Sequence, residues 1–249
     1  ITLNFKKKEM NWKRFYKIIF LFSIPLVLIL LEPDNGTTII TVLTMIALFF
    51  ICKIRLMYWL IPIMCLSVCA GAIGFQMPHV KKRIQIYLHP ELDLLGKGHQ
   101  PYQAKIAAGS GELFGKGVGQ SLQKLNYLPE ARSDYIAAIY AEEFGFIGIL
   151  FLVLLYLLIG CTGFHIASQA EDKQGFYIAT ILTFLVVLQA FLNLGVVSGL
   201  LPSKGTNLPF FSQGGSSLLA NTIVVTLIMT VAREKKKVDI KKTKWKQVQ

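Results

Sequence analysis

The sequence predicts an all-α polytopic integral membrane protein, with six transmembrane helices and a large extracytoplasmic loop. Three observations carry that expectation. Of 249 residues, 53% are hydrophobic and only 16% charged, whereas a soluble domain carries about a quarter charged residues. The stretches 18–31, 35–52, 56–80, 144–170, 174–203 and 205–232 contain no Asp, Glu, Lys or Arg, and a bilayer-spanning helix needs about 20 mainly apolar residues. The 26 Lys and Arg, which give a net charge of +12, lie outside those stretches. This composition excludes a disordered chain, a collagen and a small disulfide scaffold. A basic balance often marks a nucleic-acid binder. Here the charge lies at the ends of apolar spans, so no nucleic-acid partner is expected.

The spans are expected at 12–31, 37–52, 56–77, 136–166, 175–201 and 214–232. The first reaches full length if Lys13, Arg14 and Lys17 snorkel to the interface. Residues 150–160 (LFLVLLYLLIG) are apolar all round, unlike a helix of a soluble α-bundle, which keeps a polar face. The chain then divides into a basic arm (1–11), three spans (12–77), the large loop (78–135), three spans (136–232) and a basic tail (233–249).

Lys6, Lys7, Lys8, Lys53, Arg55, Lys173, Arg233 and the lysines beyond it place both ends in the cytoplasm by the positive-inside rule. The location is the cytoplasmic (inner) membrane. Segments 32–36, 78–135 and 202–213 then face outward. The large loop carries Lys81, Lys82, Arg83, Lys97, Lys105, Lys116, Lys124 and Arg132. Long loops contribute little to orientation, so this charge needs another reason. The four cysteines lie in or beside apolar spans without partner ligands, which reads as packing rather than a disulfide framework or a zinc site. A chain that starts at Ile1, with no cleavable signal sequence, reads as a piece of something longer.

Several motifs compete with bland readings. Residues 109–121 (GSGELFGKGVGQS) look like a phosphate loop, but Ser110 stands where a Walker glycine belongs and Gly117 follows Lys116. A compact turn-rich surface loop is expected instead. Asn35-Gly36-Thr37 is a glycosylation sequon, or a turn that opens a helix. Polar residues within spans are functional candidates by default. Gln189, Asn193 and Asn221 read as hydrogen-bonded glue between helices. Glu142 and Glu143 fit glue or function equally.

Asp134 opens the fourth span and reads as a helix N-cap or as a reactive carboxylate. Glu130, Arg132, Glu32 and Asp34 share its outward side. An anionic lipid head, above all a pyrophosphate, calls for Lys and Arg. General-base chemistry on a hydroxyl calls for a carboxylate in hydrogen-bond reach.

Residues 31–37 (LEPDNGT), 127–134 (YLPEARSD) with 142–145 (EEFG), and 201–217 (LPSKGTNLPFFSQGGSS) resemble signatures of the SEDS family (shape, elongation, division and sporulation proteins). Residues 123–125 and 111–113 look more like its cell-division branch, FtsW, than its elongation branch. The resemblance implies ten helices in the whole protein, the last six being those here. It implies a peptidoglycan glycosyltransferase that polymerises lipid II with a class B penicillin-binding protein at the division septum, beside other divisome membrane proteins and membrane lipids. The family's key aspartate falls on Asp134 and its hairpin aspartate on Asp34. Substrate contacts are expected from Asp34, Glu32, Arg83, Lys105, Lys124, Glu130, Arg132 and Ser216. The sequence departs from the family pattern at Arg132-Ser133 (usually His-Thr), Ser203-Lys204 (usually Val-Thr) and Gln213 (usually Tyr).

The implied chemistry is inverting transfer. Asp134 takes the acceptor hydroxyl's proton while undecaprenyl pyrophosphate leaves, its charge met by basic residues alone or with a divalent cation, the only cofactor considered. The metal itself is not identified. A lipid II flippase and a non-enzymatic divisome scaffold stay open as alternatives.

Overall fold

The computed structural model describes residues 12–32, 34–61, 63–64, 85–93, 96, 98–123, 132–203 and 205–246. Among them there is helix and turn but no strand. The main elements are α1 (Trp12–Leu31), α2 (Asn35–Ile51), a 3₁₀ turn (Pro90–Asp93), α3 (His99–Ser110), α4 (Ile136–Ser168), α5 (Lys173–Val197) and α6 (Gly215–Lys246). The expected third span is helical over 56–61 and 63–64, and the rest of it lies outside the described residues.

Among the described residues, three helices are long and apolar enough to cross a bilayer: Ile136–Ser168, Lys173–Val197 and Gly215–Glu234. The apolar runs of α1 and α2, Phe15–Ile29 and Gly36–Ile51, are shorter. Two boundaries move by more than two residues. The fifth span ends at Val197 rather than 201, because Gly199 turns the chain at φ 76, a conformation glycine adopts without steric cost. The sixth helix continues past the apolar part through the basic tail to Lys246. The large loop also contains a helix, α3, that its mixed composition does not announce.

The chain forms two compact units. The first holds residues 1–54, 155–188 and 215–249. Within it Phe15 of α1 packs on Phe49 of α2, with ring centroids 5.4 Å apart. Asp34 caps α2, its Oδ1 accepting from Thr37 N at 3.0 Å, so the Asn35-Gly36-Thr37 triplet is the first turn of a helix. Ala167, Ala179 and Val231 form one buried cluster of α4, α5 and α6, and Val186, Val224 and Ile228 another. A Cβ on Gly163 would meet Thr183 Oγ1 at 2.3 Å. Small residues at such crossings let helix backbones approach, which is how membrane helices gain packing energy.

The second unit holds residues 55–154 and 189–214. Its organising feature is a break in α4 at Gly145 (φ 66, ψ −163). A break there loses the helical bonds from Phe146 N to Glu142 O and from Ile147 N to Glu143 O. The glycine-rich loop replaces both. Glu112 O and Leu113 O accept from Phe146 N and Ile147 N at 2.9 and 3.2 Å, while Lys116 N and Gly117 N donate to Glu142 O and Glu143 O at 2.9 and 3.0 Å. Such close backbone contact requires glycines on both sides. A Cβ on Gly111 would lie 2.0 Å from Ala141 O, on Gly115 2.2 Å from Glu143 O, and on Gly145 2.4 Å from Gly115 N. The expected turn-rich loop is therefore present, and it mends the α4 backbone.

Candidate functional site

Asp134 sits two residues ahead of α4, in the second unit, where three backbone segments meet. From α5, Asn193 Nδ2 donates to Asp134 O at 2.8 Å and also to Thr206 O. One turn earlier on the same face, Gln189 Nε2 donates to Asn207 O at 3.1 Å. Two amides at i and i+4 face one way on a helix, and here they clamp segment 206–207 and the Asp134 backbone. Gln189 and Asn193 thus hydrogen-bond as expected of glue, but to loop carbonyls rather than between helices.

The return strand of chain completes the setting. Ser212 Oγ donates to Ser133 O at 2.6 Å and accepts from Leu208 N at 2.7 Å, and Gln213 N donates to Arg132 O at 2.9 Å. Tyr135 OH and Ser203 Oγ are 2.6 Å apart. Residues 132, 133, 134 and 135 are therefore each held from segment 203–213 or from α5. A Cβ added to Gly205 would lie 3.3 Å from Asp134 Oδ2, so a glycine lets the chain pass close to the carboxylate. Tyr135 is 1% exposed. Burial first, and then the Asp134 charge, push its phenol above the usual range, against the opposing Ser203 hydrogen bond. The phenol stays neutral beside the carboxylate.

Lys105 is an exposed residue of α3 whose side chain crosses the turn after α5: a Cβ on Gly199 would lie 2.2 Å from Lys105 Cε. Tyr87 OH donates to Leu200 O at 2.6 Å beside it. Arg132 is exposed. Glu32 and Asp34, at the α1–α2 turn, and Ser216, exposed at the start of α6, belong to the first unit. The expected roles of Arg83, Lys124 and Glu130 fall outside the described residues. Among the described residues no three His, Cys, Asp or Glu gather as a metal site.

Glu142 is fully buried, and its Oε1 accepts from Lys116 Nζ at 2.7 Å while its Oε2 accepts from Ser121 Oγ at 2.6 Å. The backbone N–H groups of Leu122 and Gln123 point at the same carboxylate, each at 3.4 Å. These partners lie in the glycine-rich loop and the two residues that follow it.

A family profile described as "Cell cycle protein", covering FtsW, RodA and SpoVE, matches residues 2–237. This chain belongs to that family. It is 37% identical over 224 residues to a protein named "Probable peptidoglycan glycosyltransferase FtsW" from Buchnera aphidicola subsp. Baizongia pistaciae, covering 89% of this chain and 59% of that one. It is equally identical, over 229 residues, to a protein of the same name from Alcanivorax borkumensis, covering 91% and 60%. The chain thus spans about three fifths of the length of these relatives.

Among solved structures, one described as a peptidoglycan synthase complex aligns with TM-score 0.72 at 24% identity, over 89% of this chain and 62% of the other. A mutant of the Thermus thermophilus rod shape determining protein RodA aligns with TM-score 0.62 at 23% identity, over 94% and 61%. Both establish the fold. Against that family's pattern, the departures at Arg132-Ser133, Ser203 and Gln213 are not scattered. They hold or flank the same three contacts, Arg132–Gln213, Ser133–Ser212 and Tyr135–Ser203. The sequence treats them as separate motifs, and nothing in their spacing signals that they meet.

Proposed function

We propose that the protein is a peptidoglycan glycosyltransferase of the septum, polymerising lipid II at the outer face of the cytoplasmic membrane together with a class B penicillin-binding protein. The six-span, both-ends-inside arrangement with the loop 78–135 outside belongs to this reading. The observation that carries it is the treatment of Asp134: its backbone is fixed by Asn193, its neighbours are fixed on both sides, and a glycine at 205 lets the chain pass close to its carboxylate. A carboxylate at the mouth of a membrane helix, held by its main chain rather than by capping duty alone, is suited to general-base work.

In the proposed step, an Asp134 oxygen accepts the proton of the acceptor sugar's 4-hydroxyl. That oxygen bonds to the donor's anomeric carbon as the bond from that carbon to pyrophosphate oxygen breaks, with inversion. Undecaprenyl pyrophosphate departs with the bonding electron pair. Lys105 and Arg132, then Arg83 and Lys124, are the candidates for stabilising its charge, with Glu32, Asp34, Glu130 and Ser216 as further substrate contacts. A positioned base contributes roughly 10²–10⁴ in rate. The test is polymerisation of purified lipid II by Asp134→Ala in bilayers with its transpeptidase partner. The expected result is loss of glycan product with membrane insertion unchanged; polymer made at the unsubstituted rate would overturn the assignment.

A further inference from the structure

The glycine-rich loop carries large apolar side chains that the protein leaves uncovered. Leu113 is 59% exposed, Phe114 79%, Val118 75% and Leu122 59%. In an aqueous loop such a run is a liability. Its location gives it a different meaning. The piece of α4 from 146 to 168 is about 35 Å long at about 1.5 Å per residue, enough alone to cross a hydrocarbon core of about 30 Å. A span beginning at Phe146 would put the break at Gly145 at the level where α4 leaves the hydrocarbon. The loop bonds to α4 at that level, through Phe146 N to Glu112 O and Ile147 N to Leu113 O. Phe146 (60% exposed) and Ile147 (50%) begin an outward apolar face that continues through Leu150, Phe151 and Leu154.

Hydrocarbon admits irregular backbone only where its polar groups are satisfied within the protein. The four crossed backbone bonds satisfy two N–H and two C=O groups on each side. The Lys116 ammonium is drawn onto the buried Glu142 carboxylate, so the loop's own cation is neutralised rather than left facing lipid. Apolar side chains out, the backbone at the α4 junction and the Lys116 cation satisfied inward, and an edge continuous with a spanning helix together point to one occupant, the lipid acyl chains.

We propose that the segment Gly111–Leu122 is a membrane-inserting wedge. Phe114 and Val118, flanked by Leu113 and Leu122, enter the acyl chains of the leaflet that receives the N-terminal end of the spanning piece of α4. The wedge fixes the height of the α4 break, and with it the turn that holds Asp134, relative to the bilayer.

The test is independent of polymerase activity. A photoreactive benzoylphenylalanine is placed at 91, 114, 118 or 154 in the protein, reconstituted in phospholipid nanodiscs, irradiated and analysed by mass spectrometry for lipid adducts. Position 154 is the lipid-facing standard and Glu91, an exposed acidic position of the 3₁₀ turn outside this loop, is the aqueous one. Adducts at 114 and 118 within about threefold of 154, and at least tenfold above 91, are expected. Labelling at 114 and 118 no greater than at 91 would overturn the wedge. So would adducts to a protein in place of lipid when the same variants are irradiated in cell membranes. Two insertion positions guard against misfolding of one variant, judged by its monodisperse elution.

Discussion

Lys116 Nζ lies 2.7 Å from Glu142 Oε1, joining a residue of the glycine-rich loop to one buried in α4 just before that helix breaks. The pair is asymmetric: the lysine side chain is 35% exposed and the glutamate 1%. Removing the lysine strands a buried carboxylate, and removing one partner of such a pair costs about 3–5 kcal/mol. Removing both charges leaves no orphan. Lys116→Met is therefore expected to lower thermal stability in detergent strongly, Glu142→Gln less, and the double variant by clearly less than the sum, giving a coupling of roughly 0.5–3 kcal/mol in a double-mutant cycle. Additive losses would show that the two side chains act separately.

The glycines of this loop sort by environment, so they make a graded series. Gly145→Ala adds a Cβ at φ 66 that meets Gly115 N at 2.4 Å, and Gly115→Ala at φ 80 meets Glu143 O at 2.2 Å. Both collisions are with backbone, and each variant should lose at least about 3 kcal/mol or fail to accumulate. Gly119→Ala has the same kind of φ (82) but open space, so its cost should stay near 1 kcal/mol. Gly109→Ala sits within α3 with nothing near and should stabilise by about 0.5–1 kcal/mol. Thermal melts of the four variants check the order.

That series also shows where sequence reading reaches and where it stops. Apolar length and missing charge are one-dimensional signals, and they located α1, α2, α4, α5 and the apolar part of α6 because a bilayer demands them of each span separately. The GELFG run was legible as turn-rich, because glycine clusters favour turns. Its purpose was not, because the partner that demands those glycines, Gly145, lies 30 or more residues away. Asp134 was singled out by motif and by its place at a helix mouth. Its holders, Asn193, Ser203 and Ser212, arrive from 59 to 79 positions along the chain, and pairings at that separation leave no periodicity to read. The bonds from Glu142 to Lys116 and Ser121, 26 and 21 positions away, were equally out of reach.

Asn193 offers a way to separate position from chemistry at the candidate base. Its side-chain nitrogen holds Asp134 O and Thr206 O, and it is 1% exposed. Asn193→Ala removes the clamp without touching the carboxylate. A displacement of about 1 Å at a reacting group can cost about 10²-fold in rate. If Asp134 is the base, kcat for lipid II polymerisation should fall roughly 10–100-fold with KM within about threefold. Gly205→Ala, which places a methyl 3.3 Å from Asp134 Oδ2, should depress kcat in the same way. Steady-state kinetics at fixed partner concentration read both; a rise in KM alone would assign these residues to binding.

Asp34 has a visible structural duty, since its Oδ1 caps α2 through Thr37 N, and a proposed role in substrate contact. The two can be separated because asparagine caps a helix about as well as aspartate, whereas alanine does not. Asp34→Ala should cost about 1 kcal/mol of stability, and Asp34→Asn almost none. If the carboxylate also meets substrate, Asp34→Asn should still polymerise lipid II at least about tenfold more slowly than the unsubstituted protein. The charge is gone while α2 keeps its cap. Paired melting and polymerisation measurements on the two variants decide it. Full activity in Asp34→Asn, with loss confined to Asp34→Ala, would reduce the residue to a helix cap.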